Sequence, residues 1–229
     1  MHLLIPAAGS GKRMGSNHNK LLLALLNEPL LSWTLKAAAA ANSIEWIGII
    51  GQPNDFGAFT RLLDSLALAK PVTLIRGGET RQASVFNGLQ ALPPEAKAVL
   101  IHDGARCLAT ADLFDRCTET LQTCQGLIAA IPVKDTIKVV DNQGWITATP
   151  DRQRLWAAQT PQGFDVALLK TCHQWGKDQG WEVTDDAALL EKCGHGVKIV
   201  PGEETNLKIT TPVDLAIAEF ILRQRIAIS

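Results

Sequence analysis

The fold of this chain is most constrained by a rhythm. Short, mainly apolar runs alternate with longer segments of helical period. The runs are His2–Ile5, Trp46–Ile50, Val72–Ile75, Val99–Ile101 and Leu127–Ile131. Between them lie helical patterns over Leu30–Ala41, Phe56–Leu68, Arg81–Leu92 and Asp112–Cys124. Strands buried on both faces lose the usual in–out alternation, and strands separated by helices must run parallel. The expectation is an α/β fold: a Rossmann-like, doubly wound, mostly parallel sheet. Pro29 suits the first position of the first helix, and Thr110 suits an N-cap with Asp112 in the turn it opens.

After Ile131 the rhythm breaks. Thr136–Val140 and Trp145–Thr149 alternate at period two around Asp141-Asn142-Gln143-Gly144, a β-hairpin signal with no crossover helix. Such a hairpin projects as an arm, and its apolar Ile137, Val139, Trp145 and Ile146 need cover that a second subunit supplies most simply. The chain then re-enters through Leu155–Gln159, helices at Val166–Trp175 and Asp185–Cys193, and strands at Val197–Val200 and Leu207–Ile209. Thr211 as N-cap and Pro212 at the first position open a last helix reaching about Arg225. With no linker or repeat in 229 residues, the expectation is one domain carrying an arm at about 134–154.

A formal net charge of −1 argues against a nucleic-acid or membrane-surface binder, whose charge would be strongly positive. Five cysteines, odd in number and without a Cys-x-x-Cys pair, suit neither a zinc site nor a disulfide framework. The apolar run Leu21–Leu26 is far too short to span a bilayer. Leu3-Leu4-Ile5, with no basic n-region before it, is too short for a signal h-region, so no signal peptide is expected. The expected setting is cytoplasmic.

Any positive charge that matters is therefore local, and the first turn concentrates it. Leu3-Leu4-Ile5 gives way to Pro6-Ala7-Ala8-Gly9-Ser10-Gly11-Lys12-Arg13-Met14-Gly15, with Lys20 following and no acid before Glu28. Glycines let consecutive backbone N–H groups approach a ligand, and with nearby cations they form an anion cradle. Two common phosphate loops do not fit. A Walker A loop ending at Gly11-Lys12 requires glycine at Pro6 and Ser or Thr at Arg13. A dinucleotide fingerprint requires its third glycine at Met14, and an acid where Gly51-Gln52-Pro53 closes the second strand.

Pro-Ala-Ala-Gly-x-Gly-x-Arg-Met followed by Lys resembles the nucleotidyltransferases that activate sugar phosphates. Later stretches narrow the resemblance: Gly77-Gly78-Glu79-Thr80-Arg81-Gln82-Ala83-Ser84, His102-Asp103-Gly104-Ala105-Arg106 and Pro132-Val133-Lys134-Asp135-Thr136-Ile137-Lys138. So do Asp151-Arg152-x-x-Leu155-Trp156-Ala157-Ala158-Gln159-Thr160-Pro161-Gln162, Thr184-Asp185-Asp186-Ala187 and Asn206-Leu207-Lys208-Ile209-Thr210. Together, in order and across nearly the whole chain, they resemble the 2-C-methyl-D-erythritol 4-phosphate cytidylyltransferase family. Three positions depart from the family pattern: Asn19 for a proline, Leu22 for an aromatic, and Cys107 for a proline.

The resemblance implies transfer of CMP from CTP to methylerythritol 4-phosphate, with release of pyrophosphate. It assigns Arg13, Lys20, Arg152 and Lys208 to catalysis, with Lys12 a weaker candidate. It gives Pro6, Ala7, Ala8, Gly9, Ser10, Gly11, Gly77, Gly78, Arg81, Ser84, Gly104 and Lys208 to CTP. The acceptor falls to Asp103, Arg106, Asp135, Thr136, Arg152, Thr160, Thr184 and Lys208. Mg²⁺ or another divalent cation falls to Asp103. A homodimer joined through the arm is implied as well. From the residues alone, Asp103 after an apolar strand serves equally as a metal ligand or as a turn cap, and Asp135 and Thr136 equally as strand-end turn residues. Lys and Arg in loops are ordinarily solvated, and His102 reads as structural. A cytidylyltransferase acting on a pentitol phosphate such as ribitol 5-phosphate would share the nucleotide half. A nucleotide-sensing module without catalysis is the other alternative.

Overall fold

The computed structural model describes residues 1–9 and 19–228, with the side chain of residue 228 left aside. A seven-stranded sheet organises them. Its strands are β1 (His2–Pro6), β4 (Trp46–Gly51), β5 (Val72–Arg76), β6 (Ala98–Ile101), β7 (Gly126–Pro132), β10 (Trp156–Asp165) and β11 (Lys198–Pro201), in the spatial order β11-β7-β10-β6-β1-β4-β5. Every pairing is parallel except those of β10, which runs antiparallel between β6 and β7. β1 lies between β4 and β6, so the strand order reverses there. In open α/β sheets that reversal leaves a crevice beyond the strands' carboxyl ends.

The sheet is covered on both faces, as its mainly apolar central strands require. Leu3, Ile5, Ile47, Ile49 and Leu100 point to one face, where they pack with Leu31 and Leu35 of α1 (Leu30–Ala40), Phe59 of α2 (Pro53–Leu66) and Phe114 of α4 (Ala111–Leu121). Leu4, Ile50, Val99 and Ile101 point to the other. Their partners are Val85 and Leu89 of α3 (Arg81–Gln90), Leu169 of α5 (Val166–Asp178) and Leu189 of α6 (Asp186–Lys192). The last helix, α7 (Pro212–Ile228), closes a smaller core through Ala218 and Leu222 against Leu25, Leu30 and Leu108. Leu25 belongs to the small ribbon of β2 (Ala24–Leu25) and β3 (Glu28–Pro29). No helix among the described residues is long and apolar enough to cross a membrane.

Capping largely follows the sequence. The Thr110 hydroxyl accepts from Leu113 N at the start of α4, and Asp214 N donates to Thr211 Oγ1 at the start of α7. Pro29 is the N-cap of α1 and not its first residue. Leu207–Ile209 is not a strand: it is a loop, anchored in part by the bond from Ile209 N to Ala105 O. The re-entering strand is much longer than Leu155–Gln159, because β10 runs on through Thr160-Pro161-Gln162-Gly163 to Asp165. Its register breaks between Ala158 and Gln162, and a break of this kind accommodates a proline that cannot donate to the ladder.

The hairpin is present but short, with β8 (Val139–Val140) paired to β9 (Ile146–Ala148). Its turn is built by Asp141, whose Oδ1 accepts from Gln143 N and Trp145 N, and by Gly144 at φ +87°. Residues 134–149 are exposed throughout, and Trp145 keeps 72% of its surface.

Candidate active site

A cleft of about 350 Å³ opens at the carboxyl ends of β1, β4, β5 and β6, at the strand-order reversal. Pro6, Ala7, Ala8 and Gly9, leaving β1, form one wall. Beyond Gly9, the expected contacts of Ser10, Gly11, Lys12 and Arg13 lie outside the described residues. The far end of that turn is fixed by Asn19. Its buried side-chain amide donates to Ala7 O at 2.6 Å and to Asp55 Oδ2 at 2.8 Å, while its oxygen accepts from Leu21 N. The departure from the family's proline thus supplies a clamp across the mouth of the turn. Lys20, next in sequence, lines the cleft and donates to Ile209 O at 3.1 Å.

The opposite wall follows β5. Gly78, Glu79, Thr80, Arg81 and Ser84 line it, with Gln52 from the end of β4. Ser84 Oγ accepts from Gly78 N at 3.0 Å, fastening the turn to the first coil of α3. A Cβ on Gly78 would fall 2.6 Å from Ala83 Cβ, so only glycine fits the turn as built. Gly77 sits just behind, where a Cβ would meet Ala8 and Ser84 at 3.2 Å.

The floor follows β6. Asp103 and Gly104 line it, and Lys208 Nζ reaches in to 2.7 Å from Asp103 Oδ2. Burial alone would raise the Asp103 carboxyl. The adjacent Lys208 ammonium, followed by Arg81 and Arg106, outweighs it and holds the group below the usual carboxylate range. Asp103 is therefore ionised at neutral pH. Behind it, Asp103 N donates to Thr160 Oγ1 at 3.0 Å, and that hydroxyl also meets His102 Nδ1 at 3.0 Å. His102 Nε2 faces Arg106 O, a pure acceptor, so the proton sits on Nε2 and Nδ1 accepts from Thr160. Burial lowers His102 to about 4, so the ring is neutral, in the structural role its position suggested.

Among the described residues, three cations, Lys20, Arg81 and Lys208, and two carboxylates, Asp103 and Glu79, thus line one crevice. This arrangement suits a polyphosphate: fixed positive charge, close backbone, and an acid for a metal bridging to the phosphates.

Comparison with known proteins specifies the chemistry. Residues 1–224 match the family model described as 2-C-methyl-D-erythritol 4-phosphate cytidylyltransferase. A curated protein of that name from Synechocystis sp. is 79% identical over 227 residues, covering 99% of each chain. The chain belongs to the 2-C-methyl-D-erythritol 4-phosphate cytidylyltransferase family. It is accordingly a nucleotidyltransferase. Among solved structures, a 4-diphosphocytidyl-2C-methyl-D-erythritol synthase from Anaerococcus prevotii superposes with TM-score 0.87 at 31% identity, covering 97% of each chain. The Thermus thermophilus 2-C-methyl-D-erythritol 4-phosphate cytidylyltransferase gives 0.78 at 32%, covering 96% of this chain and 98% of its own.

The cytidylyltransferase motifs divide into those in the cleft and those that brace it. Arg106, expected at the acceptor, donates to Asn206 O at 2.7 Å and Ala158 O at 3.2 Å, and its Nε stands 3.9 Å from Asp103. Thr160 is buried beneath Asp103. Asn206 donates to Thr160 O and to Gln159 Oε1, so the loop carrying Lys208 is tied to β10. Asp135, Thr136, Arg152 and Thr184 are exposed and line no part of their own chain's cleft. Arg152 donates to Lys134 O at the base of the arm. Gln52, Glu79 and Thr80 line the cleft without having been singled out, although Glu79 and Thr80 stand inside the quoted Gly77–Ser84 motif.

Proposed function

We propose that this cleft catalyses the family's reaction: the phosphate of 2-C-methyl-D-erythritol 4-phosphate attacks the α-phosphorus of CTP in line, and pyrophosphate leaves. The observation that carries the reading is the convergence of Lys20, Arg81 and Lys208 with ionised Asp103 on one preformed crevice. Phosphoryl-type transfer asks the protein mainly for positioning and charge neutralisation, which is what this wall can provide. Lys20, with Arg13, serves the α-phosphate and the leaving oxygens. The turn Gly77–Gly78 and Ser84 present backbone and hydroxyl groups to the cytosine edge, where buried hydrogen-bond groups discriminate bases best. Lys208 leaves Asp103 partly for the acceptor phosphate, which it holds for attack.

Mg²⁺ or another divalent cation fits the donor set. Asp103 stays ionised beside the phosphate-binding cations, and Mg²⁺ characteristically takes one or two carboxylates together with substrate phosphates. The cation would neutralise the charge that builds on the triphosphate. Asp103 would hold it, braced through its backbone N–H by Thr160, which is in turn bonded to His102.

The arm supports a homodimer: Trp145, Ile146 and Val140 are all more than half exposed on a two-stranded hairpin, which has too little core to stand alone. Arg152, Asp135 and Thr136, outside their own cleft and at the root of the arm, then serve the cleft of the partner. The unit is one nucleotidyltransferase domain with an arm at about 134–154, in the cytoplasm, where its five free thiols stay reduced. Pyrophosphate release from a panel of nucleotides and acceptors tests the reading. CTP with methylerythritol 4-phosphate should be used; exclusive use of ribitol 5-phosphate, or no turnover, would contradict it.

A further inference from the structure

A charge cluster with a fully buried carboxylate lies beside the cleft and reaches it through Arg81. Asp186, 1% exposed, pairs through Oδ2 with Arg81 Nη1 at 2.9 Å, and its Oδ1 meets His173 Nε2 at 3.1 Å. Three helices meet in this contact: α3 through Arg81, α5 through His173 and α6 through Asp186. The His173 ring is held in turn by Phe86 of α3, with centroids 5.8 Å apart. Burial works against the Asp186 carboxylate, yet the His173 hydrogen bond and the Arg81 charge keep it below the usual carboxylate range.

Arg81 needs such a partner. It is the first residue of α3, where the helix dipole presents positive charge and a cation is disfavoured. A free arginine there would swing outward to water, since its long side chain carries much rotamer freedom. Asp186 takes one edge of the fork, and the side chain still lines the cleft. Asp186 Oδ2 has no hydrogen-bond partner among the described residues, so its hold on Arg81 is that of an ion pair, while Oδ1 is taken by His173.

We propose that Asp186, seated by His173, is a positioning residue that fixes the Arg81 guanidinium in its CTP-binding orientation. The inference rests on the assignment of the cleft to CTP. Losing the partner of a binding group loosens that group without removing it, so the effect falls on nucleotide binding before turnover.

The test is steady-state kinetics and calorimetric CTP binding on the full-length protein, well below its unfolding temperature. Asp186→Asn keeps the shape and removes the charge. It should raise KM and Kd for CTP about tenfold or more and leave kcat within about threefold. Arg81→Ala should raise KM and Kd for CTP at least as much, and the double variant should bind CTP no worse than Arg81→Ala alone, because one group acts through the other. Should Asp186→Asn fail to fold, His173→Gln removes only the outer brace and should still raise KM for CTP with kcat kept. Unchanged CTP affinity in these variants, or effects of Arg81→Ala and Asp186→Asn that multiply in full, would overturn the proposal. A wild type that binds no CTP would instead overturn the assignment of the cleft.

Discussion

Lys208 Nζ lies 2.7 Å from Asp103 Oδ2, joining two loops 105 positions apart in sequence at the floor of the cleft. The pair is asymmetric: the carboxylate is mostly buried, whereas 44% of the lysine side chain remains open to incoming phosphate. Replacing Asp103 by Asn should leave the backbone braces of Thr160 intact and remove the charge that would hold a divalent cation. The expected result is a rise of ~10–100-fold in the Mg²⁺ concentration giving half-maximal rate. A magnesium titration of the variant checks it.

Gly78 permits no side chain where the turn meets α3. In Gly78→Ala the new Cβ would sit 2.6 Å from Ala83 Cβ and 2.9 Å from its carbonyl carbon, so the turn must shift. Overpacking of this kind costs ~1–3 kcal/mol of stability. The displaced turn should also weaken CTP binding about tenfold and relax the choice between CTP and UTP. Urea unfolding and a CTP/UTP comparison on the same preparation measure both.

How far the sequence could be read varies from place to place, and physics accounts for the difference. The alternation of apolar runs located β1, β4, β5, β6 and β7 closely, since a buried parallel strand leaves an unmixed apolar run. It stopped short on β10, where the stretch read as Leu155–Gln159 continues past a register break to Asp165, Gln162 and Gly163 being paired to both β6 and β7. Leu207–Ile209 read as a strand on its apolar ends, yet among the described residues it joins no sheet. At the site, motif residues were found but their roles were not separable. Arg106 and Lys208 are both cations in matched motifs, and only the fold shows one bonded to two carbonyls and the other facing the cleft. The Arg81–Asp186 pair spans more than a hundred positions, which no local pattern encodes.

If the arm carries Arg152 into the partner's cleft, two dead variants should rescue each other. Arg152→Ala and Lys208→Ala are each expected to be nearly inactive. A mixed dimer contains one cleft with both groups intact, so random mixing should restore about a quarter of wild-type activity. Co-expression of the two variants with different tags, followed by a pyrophosphate assay, reads this. No recovery would place Arg152 in its own subunit or off the reaction.

His102 sets an acid limit on the fold. Its pKa is lowered from 6.5 to about 4, chiefly by burial. A group whose folded pKa is depressed contributes stability above its unfolded pKa, and here that contribution is lost as pH falls from 6.5 towards 4. The loss amounts to about 3 kcal/mol. His102→Gln cannot take up the proton, so its urea midpoint should stay flatter across that window than wild type, with EDTA present to exclude metal effects. Parallel curves for the two proteins would contradict the assignment.

The central claim is that fixed cations at the carboxyl end of the sheet drive cytidylyl transfer. The most direct measurement is pyrophosphate release from CTP and methylerythritol 4-phosphate by Lys208→Ala beside wild type. The account predicts turnover by wild type and a fall of ~10²–10³ in the variant, with folding retained. A variant that works at the wild-type rate would contradict it.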